Sequence, residues 1–240
     1  MQKFPILVLH GWNLSSEKFS PLINALKEKG YIVEAVDLPG FGKSKIPERA
    51  YFLSDYMKFV EDYIVQKKWK EAVIIGHSFG GRIGIKLASQ HPEFLKALIL
   101  TGAPGFNPVP RFKILFFSTL AKLGNSVFAL PLVKNIKALS RHLLYRAANA
   151  MDFYTTNINM QDTFKNVVAE DLSPYLSKIT VPTLLIWGEN DLIVPLDIGK
   201  RMEKIISRAK LVSIPDARHG VPWTHAEEFS NFVKKFIESL

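Results

Sequence analysis

Six short, largely apolar runs recur along the chain, at residues 4–9, 31–36, 72–75, 97–100, 183–187 and 211–214, each bounded by Gly, Pro, Asp or a charged residue. Strands with one face in water alternate apolar and polar side chains. Runs without alternation therefore predict strands buried on both faces, as parallel strands covered by helices are. Helical patterns lie between the runs. Phe19, Leu22, Ile23 and Leu26 recur at helical spacing before Gly30, which is placed to end that helix. Phe229, Phe232, Val233, Phe236 and Ile237 repeat the pattern near the C-terminus. Alternating strands and helices imply right-handed crossovers, and so a doubly wound, mostly parallel α/β sheet.

At 240 residues the chain accommodates one such domain with an insertion. The strand–helix rhythm breaks between 105 and 178, where helix-like apolar patterns run on. This segment is read as an inserted helical cap, with 1–104 and 179–240 forming the core. Residues 113–133 invite comparison with a membrane span, but Lys122, Gly124, Asn125 and nearby prolines interrupt the stretch well short of the required length. Cap side chains such as Phe106, Phe112, Phe116, Phe128 and Phe153 are of the kind that line pockets for acyl or aromatic groups.

Composition excludes several classes. There is no cysteine, hence no disulfide framework and no thiolate metal site. The first apolar run is too short for a signal-peptide core and has no small-residue cleavage site, so the cytoplasm is the expected location. The net charge of +9 would suit nucleic acid only if it were clustered. It is scattered, and the densest run, Lys67-Lys68-Trp69-Lys70, sits between a helix and a strand, as a solvated turn does. No nucleic-acid partner is expected.

Gly76-His77-Ser78-Phe79-Gly80-Gly81 fits G-x-S-x-G, an elbow in which a strand turns sharply into a helix and presents serine at the apex. A chance match occurs in about one chain of this length in ten, so context decides. Here an apolar run precedes the motif and a helix-compatible stretch, 82–89, follows it. A serine hydroxyl needs a base, itself oriented by a carboxylate. In this setting the order is Ser, acid, His. Asp191 lies in the loop after the fifth run and His219 in the loop after the sixth, both at C-terminal strand ends, where open parallel sheets place their ligands. Glu189 is closer to the strand end and Asp197 belongs to the next helix, which leaves Asp191 as the preferred acid. His91 precedes Pro92 at a helix end, His142 lies in the cap and His225 opens the last helix. His77 adjoins the serine but points away from the elbow. His10-Gly11-Trp12 ends the first run, where a backbone N–H of Trp12 would pair with that of Phe79 to form an oxyanion hole.

Residues 4–12, Asp37-Leu38-Pro39-Gly40-Phe41-Gly42-Lys43-Ser44, the 76–81 elbow, 188–191 and His219 together resemble the α/β-hydrolase superfamily, in particular its small bacterial carboxylesterase-like members with a helical cap. The resemblance spans essentially the whole chain outside the cap. It implies an eight-stranded sheet; because this sequence begins at what resembles the third strand, the N-terminal hairpin is expected to be missing. Serine at the elbow separates it from the superfamily's dehalogenases and epoxide hydrolases, which carry aspartate there. The implied reaction is cleavage of a small carboxylic ester with an apolar acyl or aromatic part, without cofactor or metal. Thioester hydrolysis, carbon–carbon hydrolysis of a vinylogous diketone and lyase chemistry reuse the same trio. The loop His10-Gly11-Trp12-Asn13-Leu14 lacks the glycine-rich extension that resembles carbon–carbon hydrolases. A rival of another class is a ligand-binding protein on the same fold, which a lost trio member would have favoured.

Overall fold

The computed structural model describes residues 4–106 and 156–240. Six strands, β1 (Ile6–Leu9), β2 (Val33–Val36), β3 (Ala72–His77), β4 (Leu95–Thr101), β5 (Thr183–Gly188) and β6 (Ala209–Ile214), form one sheet in the order β2-β1-β3-β4-β5-β6. Every pairing is parallel. Each apolar run thus becomes a strand. β1, β3 and β5 are buried along their full length, whereas the edge strands β2 and β6 are partly exposed. Strand ends depart from the apolar runs because pairing, not apolarity, sets them. β4 begins at Leu95 and carries Lys96, which reaches out to Glu71 at 3.2 Å and lies over the Phe4 ring.

Helices cover both faces. On one, α1 (Ser20–Glu28) packs against α8 (Ala226–Ile237). Phe19, Leu22 and Leu26 are fully buried there, as are Phe229 and Val233, each worth about 1.5–3 kcal/mol of burial. Gly30, at φ 80°, closes α1 in the left-handed conformation that side chains disfavour. The other face carries α2 (Leu53–Gln66), α3 (Phe79–Ala88) and α6 (Leu196–Ile205), joined by α4 (Gln161–Ala169) and α5 (Ser173–Leu176). A short α7 (Val221–Thr224) precedes α8.

From β1 the chain crosses through α1 to β2 at the edge, then returns past β1 to β3. Strand order reverses between β1 and β3, and the C-terminal ends there open a crevice. The expected cap falls mainly on 107–155, outside the described residues; 156–178 contributes α4, α5 and a 3-10 turn at Ile158–Met160. Among the described residues no helix is long and apolar enough to cross a membrane.

Candidate active site

β3 ends at the crevice, and the chain reverses at once into α3 through Ser78, whose φ of 50° and ψ of −109° lie outside the regions open to ordinary side chains. Such strain costs about 1–3 kcal/mol and persists only where the surroundings impose it. Glycine at the flanking positions is what permits it. A Cβ on Gly76 would stand 2.7 Å from Gly80 O, and one on Gly80 would stand 2.2 Å from Leu9 O. Two backbone bonds fix the turn: Ser78 N–H donates to Thr101 O and Gly80 N–H to His10 O, both at 3.0 Å. The Phe79 N–H, at the first position of α3, has no intrahelical acceptor.

Asp191 and His219 meet at the same edge. His219 Nδ1 lies 2.7 Å from Asp191 Oδ2, while Asp191 Oδ1 accepts the N–H groups of Ile193 and Val194 at 2.9 Å. Asp191 is 3% exposed, and a buried carboxylate with both oxygens engaged is held in one pose. A carboxylate has only acceptors to offer, so Nδ1 donates to it and the neutral ring keeps its lone pair on Nε2. The two loops are joined by Glu189 N–H to Ile214 O and Asn190 N–H to Ala217 O. Trp187 Nε1–H secures the acid loop by donating to Val194 O at 2.8 Å. Of the other acids considered, Glu189 accepts from Ser213 Oγ at an exposed position, and Asp197 is exposed in the first turn of α6.

The His219 ring is bracketed by neighbours of the elbow. It lies 4.7 Å from the ring of His77, the residue before Ser78. On the β4 side a Cβ on Gly102 would stand 2.6 Å from His219 Cε1, and Gly102 follows Thr101, to which the Ser78 amide is bonded. His91 is exposed beside Thr180, His225 is half-buried beside Thr224, and His142 is outside the described residues.

The loop after β1 is built by side chains whose parts the sequence does not announce. His10 is fully buried; its Nε2 accepts from Leu38 N–H at 3.0 Å, so its proton is on Nδ1 and donates to Gly11 O at 2.8 Å. Burial lowers its pKa, which keeps it neutral. Trp12 turns its indole against Phe41, Phe79 and Phe164 at 4.8–5.0 Å and donates Nε1–H to Thr156 Oγ1 at 2.7 Å. The loop, the elbow helix and α4 are thereby clamped together. Asp37 steadies the adjoining turn by accepting from Ser16 N–H and Lys43 N–H. Burial would raise its pKa, but these bonds outweigh it and the net direction is down. An open groove of about 420 Å³ beside this loop is lined by Asn13, Leu14, Ser15, Gly40, Phe41, Gly42 and Asn157; Ser78, Asp191 and His219 do not line it.

Arg82, also unmarked by any motif, is 4% exposed on α3. Its guanidinium donates to the carbonyls of Pro104, Val167 and Glu170, so it binds the C-terminal end of α4 to the elbow helix, where a cation suits the helix dipole. Burial lowers its pKa to about 10, and it stays charged. Among the described residues no group of three or more His, Cys, Asp or Glu is placed to hold a metal ion.

Comparison with known proteins places this geometry. A family model described as the alpha/beta hydrolase fold matches residues 5–226. The uncharacterized hydrolase YugF of Bacillus subtilis is 29% identical over 97% of this chain and 89% of its own length. A 2-hydroxy-6-oxononadienedioate/2-hydroxy-6-oxononatrienedioate hydrolase of Escherichia coli is 27% identical over 97% of this chain and 86% of its own. Among solved structures, the esterase EaEST of Exiguobacterium antarcticum superposes with a TM-score of 0.76 at 23% identity, covering 99% of this chain and 92% of that one. The chain belongs to the alpha/beta hydrolase fold family.

Proposed function

We propose that the chain is a serine hydrolase that cleaves a carboxylic ester through an acyl-enzyme. Ser78 is the nucleophile, His219 the base, Asp191 the orienting acid, and the amides of Trp12 and Phe79 hold the oxyanion. His219 Nε2 takes the hydroxyl proton as Ser78 Oγ attacks the carbonyl carbon; the carbonyl oxygen becomes an oxyanion between the two amides. Collapse breaks the bond to the alcohol, which leaves with the proton from His219. Water then repeats the sequence on the acyl-enzyme and releases the acid. Each amide at the oxyanion is worth about 3–4 kcal/mol of barrier.

The observation that carries this reading is the 2.7 Å bond from His219 Nδ1 to the buried Asp191, because it leaves Nε2 basic at the edge where Ser78 is held in strain. In this reading the segment 105–178, expected from sequence to be a cap, selects substrate. Support comes from the described part, where Thr156 and Phe164 meet Trp12 beside the site. Apolar residues of the cap favour an ester with an apolar acyl or aromatic group.

A second reading, hydrolysis of a carbon–carbon bond in a 2-hydroxy-6-oxo dienoic acid, is favoured by the Escherichia coli relative; the short loop after β1 speaks against it. Turnover of p-nitrophenyl esters of increasing chain length, set beside turnover of such a dienoic acid, separates the two. Ester cleavage with the larger kcat/KM, abolished in Ser78→Ala, is the expected result. A dominant dienoic acid activity transfers the assignment to the second reading, and activity on neither overturns both.

A further inference from the structure

Beside the candidate base lies a buried polar group that the mechanism leaves unused. His77 ends β3 at 1% exposure. Its Nε2 is 3.1 Å from the backbone carbonyl of His219, and the two rings lie 4.7 Å apart at an interplanar angle of 57°. A carbonyl only accepts, so Nε2 carries the proton. Nδ1 is then a bare acceptor, and among the described residues it has no partner. An unpaired buried acceptor costs about 1–3 kcal/mol, a cost that calls for a reason.

We propose that His77 is a positioning residue for His219, holding the base loop by its carbonyl and supporting the base ring by contact, so that His219 keeps its bond to Asp191. The surroundings leave His77 one pose. Its ring meets Phe19 at 5.7 Å and Trp223 at 5.2 Å, both edge-on. On the side of β1, a Cβ on Gly11 would come 2.8 Å from His77 Nδ1, so glycine there makes room for the ring. Trp223 also crowds Gly220, the residue after His219: a Cβ on Gly220 would stand 2.6 Å from the indole. His219, Gly220, Trp223 and His77 therefore form a closed ring of contacts that immobilises the base loop from below.

The charge state suits the task. Titratable groups acting on His77 are His219 and His10, both of which disfavour a second cation; Lys18 lies beyond them, 5.1 Å from the Trp223 ring centre. Burial foremost, then His219, pushes the His77 pKa down to about 3. The ring stays neutral while His219 passes through its imidazolium form, which a cationic neighbour would oppose.

The inference rests on the reading of His219 as base, and the test separates the two. His77→Gln places an amide N–H at the reach of Nε2, whereas His77→Asn carries the same amide one methylene too short. Both are assayed on the p-nitrophenyl ester, with thermal unfolding recorded alongside. The Gln variant is expected to retain most of kcat. The Asn variant is expected to lose kcat by up to about 100-fold at little changed KM, the scale on which a catalytic group displaced by about 1 Å fails. If the Asn variant does not fold, His77→Leu removes the donor with a larger side chain. In proton NMR, the low-field Nδ1–H signal of His219 should persist in wild type and Gln variant and be lost or shifted in the Asn variant. Equal kcat losses in Gln and Asn, or an Asn variant with wild-type kcat and an unmoved signal, would overturn the proposal. If wild type cleaves no ester, that reading fails, and the NMR comparison alone still decides the part played by His77.

Discussion

At the scale of single residues, the choice of Asp191 over Glu189 and Asp197 follows from where each falls after a strand, and the geometry gives it a physical basis. Asp191 lies far enough beyond β5 for the loop to turn its carboxylate back onto His219, with Ile193 and Val194 N–H groups closing the turn. Asp191→Asn would offer an amide N–H to Nδ1 and favour the wrong tautomer. We expect kcat to fall about 10⁴-fold, with Glu189→Gln unaffected, in steady-state assays on folded protein. A larger loss in Glu189→Gln would move the acid to that position. His10, His77 and Arg82 were not legible in this way. His10 and His77 stand in local motifs, but the bonds that give all three their roles run to partners 28, 142 and 85 positions away in sequence. A buried polar residue acquires its meaning only from what the fold brings to it.

Among the elements, the inner strands were readable because a parallel strand buried on both faces leaves an apolar run, whereas the partly exposed edge strands β2 and β6 interrupt theirs with Glu34 and Ser213. Their ends were less so: β3 continues through Gly76 and His77 and β4 starts at Leu95, pairings to which side-chain polarity is indifferent. The link from α3 to α4 was invisible in sequence. It rests on Arg82 and on the Lys86–Glu170 ion pair at 2.7 Å. Arg82→Met would strand several buried carbonyls, at about 1–3 kcal/mol for each one left unpaired. Urea unfolding should show the loss, and Arg82→Lys should recover only part of it, because an ammonium cannot reach in the planar fork of a guanidinium. A Met variant within about 0.5 kcal/mol of wild type, the range of ordinary surface changes, would show that the anchor is dispensable.

For the whole molecule, the doubly wound class follows from strand–helix alternation, and the reversal of strand order between β1 and β3 puts the loops of His10–Trp12 and of Ser78 side by side. Ser78, Asp191 and His219 come from three strand ends at one edge, the place this topology reserves for ligands. The family resemblance implies eight strands less the N-terminal hairpin, and the described residues form six, all parallel. The +9 charge bears on solubility and association, not on the chemistry of the site. The proposed function turns on one nucleophile, Ser78, at one strained turn. Labelling the intact protein with a fluorophosphonate and mapping the adduct by mass spectrometry tests this most directly. The account predicts a single adduct on Ser78, absent from Ser78→Ala; an adduct on another serine, or none on a protein that turns over ester, would contradict it.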